Sequence, residues 1–500
     1  MSLKRNIFAS YANQIYITSV GIFALPMYLK YMGAEAYGLV GFFTMMQAWF
    51  NLLDLGLTPT VARETARFRG GVITILEYRR LLRAVQIIFL FIAIVGGGIL
   101  FLSSGVIANS WLNVQNLKIE QVRMALQLMA LGIAFRWSSG FCRGYLSGSE
   151  EIIWLSGLNT LIATFKFIGV IPILVLYDNS IIVFFSYQLI VSIVEFLLLV
   201  FKSYGLYPVL QKNQKIGWSA NNLFFSIKNS LRFSMTIAFT SFVWILVTQI
   251  DKLILSKILS LENYGIFTLA VLGASGVTMI AGPISTALMP RMAKLQAERK
   301  DDALVLIYRN STQFVAMVAI PACLILAVFS EEILWAWTGD LQASRNASLA
   351  FCFYALGNGF LAMSAFPYYL QFAKGDLKMH MIGNIIFLII FVPLLIYLTL
   401  MLSTVGAGIA WLISNVFYFF GWVPVVHRRF YSNFHNKWLF QDILPIATLS
   451  IMVVFFAYYF HVKLESRVEV IFYALGLGIA IVLLNFVVLS RVRKLVFVNL

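Results

Sequence analysis

Apolar segments of about twenty residues recur from one end of this 500-residue chain to the other, separated by short polar turns. A helix rises about 1.5 Å per residue, so each such segment is long enough to cross roughly 30 Å of hydrocarbon. Composition points the same way. The chain is 61% hydrophobic and 12% charged, whereas soluble domains carry about 25% charged residues. The expected fold class is an all-α polytopic membrane protein of about 14 transmembrane helices.

The candidate spans are 7–29, 37–58, 84–103, 122–142, 152–176, 181–201, 233–256, 264–289, 311–330, 347–372, 381–401, 405–426, 443–461 and 470–489. The first follows Lys4 and Arg5 as a signal peptide would. It is too long for a signal core and lacks a small-residue cleavage site, so it reads as a transmembrane helix. Placing the N-terminus in the cytoplasm puts 27 Lys and Arg residues in the inner segments and six in the outer ones. That bias is what the positive-inside rule demands, and it puts both termini in the cytoplasm. A net charge of +16 and a pI near 9.7 could suggest nucleic acid. These cations are instead scattered over eight inner segments, where membrane lipid headgroups meet them.

The chain also resembles itself. A shift of 227 residues superposes Arg5 on Arg232, Lys30 on Lys257, Glu35 on Glu262, Tyr37 on Tyr264, Gly38 on Gly265 and Gly148 on Gly375. KYMGAEAYG thus echoes KILSLENYG outside the first and seventh spans. The shift covers an even number of spans, so the expected plan is two parallel six-helix repeats plus two C-terminal helices. The expected divisions are 1–202 for the first lobe, 203–230 for a cytoplasmic linker, 231–426 for the second lobe, and 427–500 for a loop with two further helices. Parallel repeats suit a substrate path between lobes and alternating access.

Polar groups in hydrocarbon are costly and have to face protein or a water-filled cavity. In the second span Thr44, Gln47, Asn51, Asp54 and Thr58 recur at steps of three and four, which is one face of a helix. In the seventh, Thr236, Thr240, Thr248 and Asp251 share a face, with Trp244 offering a ring to stack on a sugar or a lipid head. The eighth span carries Ser275, Thr278 and Ser285, and the first a shorter stripe of Gln14 and Thr18. These stripes serve either a cavity or hydrogen bonding between helices.

Two cations lie at depth, Arg136 and Lys166. Each needs a carboxylate or an anionic ligand, for which phosphate or pyrophosphate is suited. Pairing of Lys166 with Glu195 is the structural alternative. Arg136 lies seven residues before Arg143 on one face, and Lys166 shares a face with Ser156 and Asn159. The neighbours Asp251 and Lys252 leave the helix about 100° apart, so they are not expected to serve one ligand.

No phosphate loop, metal-ligand cluster or nucleophile elbow is present in the sequence. Cys142, Cys323 and Cys352 form no metal spacing, and the four histidines lie at or outside membrane boundaries. The expectation is a transporter with no cofactor and no metal, not an enzyme.

Residues 28–64, YLKYMGAEAYGLVGFFTMMQAWFNLLDLGLTPTVARE, resemble the opening of the Wzx-type O-antigen and polysaccharide flippases. These form the polysaccharide-export branch of the multidrug/oligosaccharidyl-lipid/polysaccharide exporter superfamily. RGYLSGSEE (143–151) and PYYLQFAKGDLKMH (367–380) resemble that family's fourth-span exit and its repeat counterpart. The resemblance implies a bacterial inner-membrane flippase that turns an undecaprenyl-pyrophosphate-linked oligosaccharide from the cytoplasmic to the periplasmic leaflet. It implies a polysaccharide polymerase and a chain-length regulator as partners, and leaves the coupling ion, H+ or Na+, open. Family members are thought to engage the anionic headgroup through charged lumen residues. By position, the candidates here are Asp54, Asp251, Arg136 and Lys166, with Gln47, Asn51, Gln14, Thr248 and Trp244 beside them. Cation-coupled multidrug antiport and lipid II-type flipping are the alternatives.

Overall fold

The apolar runs are helices, and almost nothing else is regular. The computed structural model describes residues 3–54, 56–177, 180–210, 242–279, 282–432, 434–460 and 464–488, with the side chains of 3–8 and 282–287 outside that description. Among the described residues there is no strand, and nine helices are long and apolar enough to cross a membrane. The chain is a multi-pass membrane protein. Four features separate these nine from the fourteen expected segments. The fourth expected span lies in Ile119–Gly148, a helix long enough but not apolar enough to count among the nine. Spans 381–401 and 405–426 fall in one run, Lys378–Phe430. The second and eighth spans are interrupted. Part of the seventh, with Thr236 and Thr240, lies outside the described residues, as does the Ser285 side chain.

Contacts divide the chain into two units, Met1–Gly265 and Ile266–Leu500. The first contains α1 (Leu3–Met32), α2 (Ala34–Phe50), α3 (Leu57–Arg69), α4 (Ile75–Val106) and α5 (Ile119–Gly148). It continues with α6 (Ile152–Thr164), α7 (Val170–Leu176), α8 (Ile181–Gly205) and α9 (242–258). Helix α5 is its centre, packed against α3, α4 and α8. Sequence explains why. Gly140, Gly144 and Gly148 recur every fourth residue and make a groove along α5. A Cβ on Gly144 would sit 2.5 Å from the Thr58 carbonyl, and one on Gly148 2.3 Å from that of Ala62. Only glycine admits α3 so closely.

The expected continuous second span is corrected here. α2 ends at Phe50, a 3-10 turn covers Asn51–Asp54, and Gly56 takes φ 70° before α3 begins. Thr44, Gln47, Asn51, Asp54 and Thr58 therefore do not line one straight helical face. Asp54 instead accepts hydrogen bonds from the Thr58 amide (3.1 Å) and hydroxyl (2.7 Å), satisfying donors at the start of α3.

After α9 come α10 (Leu261–Ala274), α11 (Gly276–Met279) and α12 (Gly282–Ala297). The second unit is built on α13 (Asp301–Val328), α15 (Leu341–Lys374) and α16 (Lys378–Phe417), with the short α14 (Ser330–Thr338) between the first two. After α17 (Val423–Phe430) and α18 (Phe434–Trp438), both α19 (Leu444–Tyr459) and α20 (Arg467–Val488) pack on α13. Within α16, Ser403 has φ 54° and ψ −134°, which marks the turn between the eleventh and twelfth expected spans. Its core gathers Tyr308, Phe366, Phe419 and Trp438.

Candidate functional site

Helix α6 does not run straight into α7. Residues Phe165–Gly169 form one π turn, and Lys166 stands in it. A π turn leaves carbonyls without their usual helical donors, and such turns are frequent at functional sites. Here the freed groups are taken up from outside the helix. The Tyr28 hydroxyl donates to the carbonyls of Lys166 (3.0 Å) and Phe167 (2.8 Å). The Gln188 amide donates to the Lys166 carbonyl at 2.8 Å, and the Tyr187 hydroxyl to that of Phe165 at 3.1 Å. The backbone of Lys166 is therefore held from α1 and α8.

That side chain meets Glu195 on α8, Nζ to Oε2, at 2.5 Å. Arg143 on α5 donates to the other carboxylate oxygen, and through its second nitrogen to Asn159 on α6 at 2.6 Å. One carboxylate thus holds two cations, one on each oxygen. Arg136, two turns from Arg143 on the same face of α5, donates to the Gln47 side chain on α2. No ion pair joins Arg136 to a carboxylate among the described residues. Among the described residues the group holds three cations and one anion, a surplus of two positive charges within the membrane helices.

Access is graded across the group. Arg136 is exposed. The Arg143 side chain is 32% exposed, that of Lys166 11%, and that of Glu195 3%. An uncompensated guanidinium among hydrocarbon is too costly to persist, so the face that carries Arg136 opens to water or to an anion. Guanidinium and ammonium groups arranged in this way suit phosphate oxygens, which accept charge-assisted hydrogen bonds from both.

The structure brings together Gln47 with Arg136, and Lys166 with Glu195 and Arg143. The other candidates stand apart. Asn51, Gln14 and Trp244 are exposed. Thr248 spends its hydroxyl on the Trp244 carbonyl at 2.9 Å, and Gln14 lies 3.5 Å from Thr18. Asp251 is buried at 2% exposure with Lys252 beside it, Nζ to Oδ1 at 3.2 Å. The two side chains therefore pair with each other, although the helix projects them about 100° apart. The lysine chain folds back and also donates to the Thr248 carbonyl at 2.8 Å.

Arg143 and Glu195 also belong to the group, although position in the sequence does not single them out as lumen residues. The expected fourth span ends at residue 142, which places Arg143 among the inner basic residues. Helix α5 in fact continues to Gly148. The seven-residue spacing from Arg136 was the usable signal.

Among solved structures, the chain is similar to a lipid II flippase MurJ in an inward closed conformation. The TM-score is 0.77 and the identity 17%, over 97% of this chain and 99% of that one. It is also similar to an inward-facing multidrug resistance MATE family transporter of the MOP superfamily, with TM-score 0.61 and 14% identity over 82% and 96% of the two chains. A MATE transporter from Vibrio cholerae aligns with TM-score 0.52 and 12% identity over 84% and 98%. At these identities the likeness is one of fold alone. No curated protein matches the sequence. The model of the polysaccharide biosynthesis protein family, however, matches residues 3–296, more than half of the chain, and the protein belongs to that family.

Proposed function

We propose that this protein flips an undecaprenyl-pyrophosphate-linked oligosaccharide, an O-antigen-like repeat unit, from the cytoplasmic to the periplasmic leaflet of a bacterial inner membrane by alternating access. The observation that carries this reading is the surplus of two positive charges among Arg136, Arg143, Lys166 and Glu195. A diphosphate esterified at both ends keeps one negative charge on each phosphorus, which matches that surplus. Arg136 is the outermost cation and makes first contact, held by Gln47. Trp244, Asn51 and Gln14 are exposed and offer stacking and hydrogen bonds to the sugars. The Lys and Arg bias of the sequence supports both termini in the cytoplasm. Family membership supports a role in polysaccharide synthesis.

Deleting the gene tests the reading. Long-chain surface polysaccharide is expected to disappear and to return with the intact gene, but not with Arg136→Ala or Lys166→Ala at equal membrane abundance. Normal surface polysaccharide in the deletion overturns it. Likeness of fold to a lipid II flippase favours a second reading, in which lipid II is the cargo. That reading predicts failure of cell-wall synthesis instead. Antiport of cationic drugs, suggested by the likeness to multidrug transporters, fits less well, because a cationic cargo would need a surplus of carboxylates.

A further inference from the structure

We propose that Glu195 is a built-in counter-anion that occupies the ligand's place on Arg143 and Lys166 when the site is empty, so that binding exchanges a carboxylate for phosphate. This rests on the diphosphate reading above. Three observations carry it. Both carboxylate oxygens are committed, one to each cation, so Glu195 imitates the bridging contact a phosphate would make. The carboxylate is 3% exposed and the cations progressively more so from Lys166 to Arg143 to Arg136, which sets a route inward. The Lys166 peptide is pinned by Tyr28 and Gln188, so exchange needs side-chain movement only.

The energetic reason is general. Cations left bare in a membrane interior are expensive, and an empty carrier has to pass through a bare state between cargoes. A resident carboxylate removes that cost. It also competes with the cargo, and so limits how tightly the cargo is held and speeds its departure. Arg143 and Lys166 alternate between Glu195 and phosphate, whereas Arg136, whose hydrogen-bond partner among the described residues is the neutral Gln47, stays available throughout.

The test is binding of prenyl diphosphoglucose to the purified full-length protein in lipid nanodiscs. Glu195→Gln keeps the shape and removes the competing charge. It is expected to bind about tenfold more tightly and to release more slowly. Unchanged or weaker binding by folded Glu195→Gln overturns the counter-anion. If that variant fails to fold, Glu195→Asp keeps the charge and both cations but shortens the carboxylate so that it cannot reach Lys166 and Arg143 together. It is expected to bind several-fold more tightly than the wild type, and unchanged or weaker binding overturns the proposal. Failure of the underlying reading looks different. In that case the wild type binds the diphosphate no better than Arg136→Ala does.

Discussion

In the first unit Glu195 is shared by Arg143 and Lys166, with Arg136 two turns away on a neutral glutamine. In the second, Asp442 is gripped by Arg309 alone, Nε at 2.6 Å and Nη2 at 2.8 Å, with Gln313 at 2.5 Å on the same carboxylate. Gln441 completes the Arg309 fork at 3.1 Å. Both clusters join helices across the interior of their unit. The second is balanced, one charge against one, in a bidentate geometry that leaves the Asp442 side chain with no exposure. The first carries surplus positive charge and opens by degrees. The 227-residue offset sets Arg136, Arg143, Lys166 and Glu195 against Met363, Leu370, Pro393 and Trp422. The surplus is therefore not a property of the repeated scaffold, which builds these positions without charge in the second half. A balanced buried pair ties α13 to the segment before α19. On the proposed reading the unbalanced one receives the ligand.

The comparison breaks most visibly at Asp442. Asp442→Ala strands Arg309 and is expected to cost about 3–5 kcal/mol, read as a fall in the thermal midpoint and in membrane abundance. Full stability with lost transport would make this cluster a site like the other. Arg136→Ala should do the reverse. It removes a charge-assisted contact of about 1.5–3 kcal/mol, a ~10- to 100-fold loss of diphosphate affinity, while the thermal midpoint barely moves. Gly144→Ala is next, at about 1–3 kcal/mol of stability, because its methyl group meets the Thr58 carbonyl and α3 has to shift. Asp54→Ala sharpens the distinction between site and scaffold. It should cost about 1 kcal/mol as a lost helix-start contact, with diphosphate affinity unchanged. Gln47→Ala is the smallest, a few-fold loss of affinity from about 1 kcal/mol of one hydrogen bond.

Much of this is legible in the sequence. Apolar length and the basic bias point to the membrane class. The glycines at 140, 144 and 148, which carry the packing of α3 on α5, draw no notice until α3 is seen against them. Arg136, Lys166 and Gln47 stood out as polar groups at depth, and the Lys166–Glu195 pair was among the alternatives. The rest was hidden for definite reasons. The break between α2 and α3 was masked by a polar period that happens to run through it. Yet Gly56 and Pro59 mark the interruption, and Pro59 sits in the first turn of α3, where its missing amide costs nothing. The π turn at Phe165–Gly169 has no comparable marker, since its partners Tyr28 and Gln188 come from distant helices. Lys252 shows the limit of helical projection. The wheel fixes where a Cβ points, but four methylenes let the ammonium reach Asp251 all the same.

On the proposed reading, unbalanced positive charge in the first unit carries the cargo. Flipping of a fluorescent polyprenyl-diphosphate-linked oligosaccharide by the purified protein in sealed vesicles tests it directly. The wild type and Asp54→Ala should move the lipid to the opposite leaflet, and Arg136→Ala should slow it at least tenfold while remaining folded. Equal rates for wild type and Arg136→Ala would contradict the account.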